Sequence, residues 1–144
     1  MIMSALDDFL DDLRDALRRK REQLQQKKIE KQGYLDTAAD IKNVYNRMKL
    51  DKGTLKDLKT NVNTFSKENY TDFKGDLFTN TYKPKVSEIL SSYDDMISRL
   101  DYKMDELNWK ITEYENKALS CDGPIGTLSA GVNSLINQIE NWFN

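Results

Sequence analysis

The residues best placed for chemistry are pairs of neighbouring carboxylates: Asp7-Asp8, Asp11-Asp12 and Asp94-Asp95. Two acids held in one pocket can divide general-acid and general-base roles, because each carboxylate raises the pKa of the other. Here they sit on the helix surface of a chain with many lysines and show no sign of such a pocket, the pattern of a solubilising surface. The chain has no histidine, the commonest general base and metal ligand, and one cysteine, Cys121, too few for an internal disulfide. Glycine-rich phosphate loops, cysteine pairs and Gly-x-Ser-x-Gly turns are absent. No catalytic, cofactor-binding or metal-ligating residue is assigned, no cofactor is expected, and the sequence reads as a non-enzyme.

The elements that would position any functional residue are helices. Val86, Leu90, Tyr93, Ile97, Leu100, Met104, Leu107, Ile111, Tyr114 and Ala118 recur at alternating spacings of four and three. This is the heptad seam of a helix packed along its length, and at about 1.5 Å per residue it spans roughly 50 Å. The register continues through Cys121, Ile125, Leu128, Val132, Leu135, Ile139 and Trp142, but Asp122-Gly123-Pro124 should kink or end the helix. A short terminal helix over about 125–142 follows, either kinked in line or folded back. Cys121 falls on the seam, where a free cysteine is expected to be buried and inert.

An earlier seam runs through Leu6, Leu10, Leu13, Leu17 and Leu24, then Tyr34, Ala38, Ile41, Tyr45 and Met48. Between its halves the seam positions are Lys20, Lys27 and Lys31, charges costly to desolvate. This region should be splayed, wet, or paired with acidic groups of a partner, and Gly33 beside it is a place for a bend. Leu50-Asp51-Lys52-Gly53-Thr54 is a candidate break, with Thr54 and Asp57 forming a weak capping box for a new helix whose apolar face is Leu55, Leu58, Val62 and Phe65. Periodicity then fades into a connection, and Pro84 fits the first turn of the helix that follows. The expected fold is all-α: an elongated antiparallel helical hairpin in one domain, with a first arm over about 4–67, a connection over about 68–83, a second arm over about 84–120 and the short C-terminal helix.

Two aromatics face the wrong way for a closed bundle. Tyr102 and Trp109 lie seven residues apart on the side of the second arm pointing away from the seam, and Ile29 holds the matching outer position on the first. Either the terminal helix covers Tyr102 and Trp109, or they anchor another helical protein, for which Trp and Tyr are the expected residues.

Charge is segregated although the net value is only −2. Residues 1–17 carry five aspartates against one arginine, whereas Arg18–Lys31 carries seven basic residues against two glutamates. Such a run suits a membrane surface or nucleic acid, but it lacks aromatic interleaving and a recognition-helix pattern, so a solvated or inter-helix role is preferred. No stretch is long and apolar enough to span a bilayer, and the start lacks the basic and apolar regions of a signal peptide. The expectation is a protein made in the cytoplasm, without stable membrane insertion.

Phe73-x-Gly75 lies in the connection between the long helices. It resembles the Trp-x-Gly signature of the small helical hairpins handled by type VII secretion systems, with Phe73 where tryptophan is usual. In such hairpins the turn glycine adopts backbone conformations closed to other residues and the aromatic packs across the helix ends. The chain length, the long arms and the step Asp122-Gly123-Pro124-Ile125-Gly126-Thr127-Leu128 into a short terminal helix together resemble the YwqH-like family, associated with LXG toxins of Gram-positive bacteria.

That resemblance implies a targeting factor or chaperone. It would bind the helical N-terminal domain of an LXG toxin, alone or with a second small helical protein, and help present it to the secretion machinery, with export needing no cleavable signal peptide. Relatives use a Tyr/Phe-x-x-x-Asp/Glu element near a chain end. Tyr102 and Glu106 have this spacing, as do Trp109 and Glu113 with tryptophan, although not near an end. The partner-binding residues are then Tyr102, Glu106 and Trp109, with Lys20, Lys27 and Lys31 selecting an acidic partner surface. The alternatives are a self-associating structural coiled coil, a homo-oligomer needing no toxin, and a membrane-surface or nucleic-acid binder acting through Arg18–Lys31.

Overall fold

A computed structural model describes residues 2–68 and 81–143 of the chain. It contains three helices, α1 (Ile2–Glu68), α2 (Lys83–Ser120) and α3 (Asp122–Phe143), and no strand among the described residues. The fold is all-α, of helical-hairpin type. Phe73 and Gly75, with most of the connection, lie outside the described residues. The chain divides into two compact units, one of Met1–Ala39 with Thr112–Asn144 and the other Asp40–Ile111.

The α1 helix has no break at 50–54. Thr54 does not cap a new helix; its hydroxyl donates back to the Leu50 carbonyl at 3.2 Å, as a mid-helix threonine does. Gly53 and Gly33 are both carried within the helix, each with open space where a Cβ would stand. One glycine costs only about 1 kcal/mol in a helix interior, which the flanking helix formers offset.

Continuity changes the register beyond Met48. The inward positions are Lys52, Leu55, Lys59, Val62 and Ser66, each buried or half-buried, whereas Leu58 and Phe65 are exposed. Counting on from Met48 in alternating fours and threes reaches those same five positions, so the apolar repeat of Leu55, Leu58, Val62 and Phe65 belongs to two different faces. Ser66 is accommodated in the seam because its hydroxyl donates to the Asn63 carbonyl at 2.7 Å.

On α2 and α3 every expected seam position from Val86 to Trp142 is buried or half-buried. At the junction the Cys121 N–H donates to the Ala118 carbonyl at 3.1 Å, and Ile125 N–H donates to the Cys121 carbonyl at 3.0 Å. The junction therefore tightens for one residue and resumes. Pro124 falls in the first turn of α3, where a missing N–H costs nothing, and Asp122 sits at the positive end of the helix dipole. Cys121 is a free, buried cysteine.

Within the first unit, α3 continues along α1 in antiparallel order rather than folding back. Tyr114 meets Tyr34 (ring centroids 6.4 Å), Asp122 meets Lys31 (2.6 Å) and Trp142 meets Phe9 (5.5 Å). Within the second unit, Lys59 pairs with Asp94 and Lys52 with Asp101. Seven residues back on α1 match seven forward on α2, which fixes an antiparallel pair of helices in heptad register.

Candidate functional site

The lysines at seam positions are engaged by the chain itself. Lys31 donates to the Asp122 carboxylate, and Lys27 to Glu30 one turn further on at 2.9 Å. Lys20 has its aliphatic stem over Gly131, where an added Cβ would stand 3.0 Å from the lysine Cδ. A glycine opposite the lysine gives the stem room to lie along apolar surface while the ammonium reaches water. The acidic groups expected from a partner are thus supplied, for Lys27 and Lys31, by Glu30 and Asp122. Asp94, Asp101 and Asp122 all hold the same heptad position flanking the α2–α3 seam, each facing a lysine on the α1 seam. That flank was not singled out in the sequence; the signal was present in the seven-residue spacing of Asp94 and Asp101.

Glu30 is the centre of a small polar cluster, since the Tyr34 hydroxyl also donates to it, at 3.2 Å. The Lys27 hydrogen bond and charge pull the Glu30 carboxyl below its usual range. Reciprocally, the hydrogen bond and charge of Glu30 push Lys27 and Tyr34 above theirs. Lys117 lies 4.9 Å from the Tyr114 ring centroid and 6.0 Å from that of Tyr34, a cation over two aromatic faces. Of the outward basic residues, Arg18 pairs with Asp15 at 3.6 Å, so the acidic start of α1 partly neutralises the basic run within one helix.

In the second unit the outward aromatics stand clear. Tyr102 and Trp109 are each 64% exposed. Their exposure follows from position: they lie two turns apart on the α2 face opposite Leu100, Met104 and Leu107, which turn inward. Lys103 approaches the Tyr102 ring at 6.0 Å and pairs with Glu106 at 3.1 Å, while Lys110 stands 5.3 Å from the Trp109 ring centroid. The result is an exposed strip of two large rings with lysine and glutamate between them. Ile29, in the first unit, is 61% exposed beside a shallow groove lined by Gln26, Lys27, Glu30 and Leu128.

Among the described residues, no group of three or more His, Cys, Asp or Glu side chains is arranged to hold a metal ion, and no helix is long and apolar enough to cross a membrane. What the arrangement offers chemically is apolar and aromatic surface with charged edges, suited to packing against another helix. In comparisons with known proteins, no family model, curated protein or solved structure matches this chain.

Proposed function

We propose that this protein is a non-enzymatic binding partner, a targeting factor or chaperone, for the helical N-terminal domain of an LXG toxin exported by a type VII secretion system. The observation that carries the proposal is the exposed pair Tyr102 and Trp109. Large rings are costly to leave in water, and at protein interfaces they are the commonest energetic anchors. Glu106, one turn from Tyr102, completes an apolar-plus-acidic handle on the same face.

The lysines at 20, 27 and 31 have a smaller part in this reading than the aromatics, because Lys27 and Lys31 are already paired within the chain. The mechanism is burial of apolar surface at about 25 cal/mol per Å², with the charged edges fixing register.

Trp109 reports on its own burial. In Trp142→Phe, which leaves Trp109 as the only indole, adding the toxin's N-terminal domain is expected to shift the fluorescence emission to shorter wavelength as the ring leaves water. An unchanged spectrum at saturating toxin domain overturns the assignment of this face.

A further inference from the structure

We propose that residues 40–111 pair with a second copy of the chain through the groove on the other flank of the α1–α2 seam, forming a four-helix bundle. Two helices cannot enclose a heptad seam. Among the described residues of this unit the buried apolar ones are Met104 and Ile111, while Leu55, Tyr93, Ile97 and Leu100 are only half-buried. One flank is bridged by the Lys52–Asp101 and Lys59–Asp94 pairs, with a smaller, more polar groove of about 440 Å³ beside the second. The other is an open groove of about 500 Å³ with Leu55 and Leu100 in its floor and Asp51, Met96, Arg99 and Lys103 on its walls. Leu58, 42% exposed, lies one turn along α1 from Leu55 and two turns from Asp51, on the same flank.

The occupant is fixed by symmetry and charge. The ion pairs set Asp51 level with 101–103 and Leu58 level with 94–96. A two-fold axis running along the helices, over the groove, keeps these levels and brings α2 of the mate beside α1 in antiparallel sense. Asp51 then faces Arg99 and Lys103 of the mate, Leu58 faces its Met96, and each contact occurs twice. A single operation satisfies the acid, the bases and the apolar residues together, as an isologous interface requires. Tyr102 and Trp109 are not among the groove's lining residues, and Lys103 is the residue this surface shares with the strip assigned to the toxin.

The test is the solution mass of the full-length chain across a concentration range of about a hundredfold, with helicity followed by circular dichroism. The expected result is twice the mass of one chain at the upper end. Met96→Glu is expected to raise the dimer dissociation constant at least about tenfold. Asp51→Lys raises it about fivefold or more, and adding Arg99→Asp to that variant restores it, because the exchanged charges again oppose across the axis. These charged positions are exposed, so the exchange does not depend on Met96→Glu folding. A chain that stays monomeric at full helicity overturns the proposal. So does a dimer that the charge exchange fails to restore, or a monomer in which the toxin domain alone occupies the groove; none of these outcomes bears on Trp109.

Discussion

The Glu30 carboxylate is where single-residue chemistry is most visible. It accepts from Lys27 and from Tyr34. Because Glu30 lies below its ordinary pKa in the folded chain, its contribution to stability is present above the usual carboxylate range and is lost as pH falls through the lowered value. Lys27 and Tyr34 are raised, so theirs is present below their ordinary values and lost as pH rises through the raised ones. In a spectrophotometric titration, Tyr34 is therefore expected to ionise above the ordinary tyrosine range, and Glu30→Gln should return it to that range. A titration unchanged by that substitution would place Tyr34 outside the reach of Glu30.

Burial separates two neighbours of similar apolar character. Ile111 is 6% exposed and Trp109 is 64% exposed. Ile111→Ala is expected to cost about 2–5 kcal/mol in urea unfolding, through lost burial and the cavity left behind. Trp109→Ala should change stability by less than about 0.5 kcal/mol, because the ring is mostly in water. A large loss from Trp109→Ala would make that ring part of the fold rather than a docking handle.

At the scale of the helices, Gly53 decides whether α1 is one element or two. The Cβ of an alanine there would meet open space within a continuous helix. Gly53→Ala is thus expected to raise stability by about 0.5–1 kcal/mol, measured by the urea midpoint at constant m-value. A loss of stability would mean that the chain needs glycine's backbone freedom at 53, as a break would.

How far the helices were legible follows from the same stretch. From Val86 to Trp142 the seam is almost wholly apolar, so every position that counting threes and fours assigned to it is buried or half-buried, including Cys121 across the proline step. From 50 to 66 the inward positions are Lys52, Leu55, Lys59, Val62 and Ser66, and polar residues at three of the five hid the register behind Leu58 and Phe65. The lysines are tolerated because Asp101 and Asp94 stand opposite, a tertiary fact that no window on α1 alone contains. The outward placement of Tyr102 and Trp109 was readable from heptad position.

For the molecule as a whole, the proposed role is recognition of other helical chains. The aromatic strip on α2 and the groove between α1 and α2 in residues 40–111 are two apolar surfaces, one assigned to a toxin and one to a second copy. Lys27 and Lys31 belong to the internal seam, so their charge reversal should lower stability more than it weakens partner binding.

The most direct test is the mass in solution of the full chain mixed with the helical N-terminal domain of an LXG toxin encoded beside it, for the native protein and for Tyr102→Ala with Trp109→Ala. The account predicts a stable mixed complex whose dissociation constant rises at least about tenfold in the double variant while helicity is unchanged. A chain that ignores the toxin domain, or a complex indifferent to the loss of both rings, would contradict it.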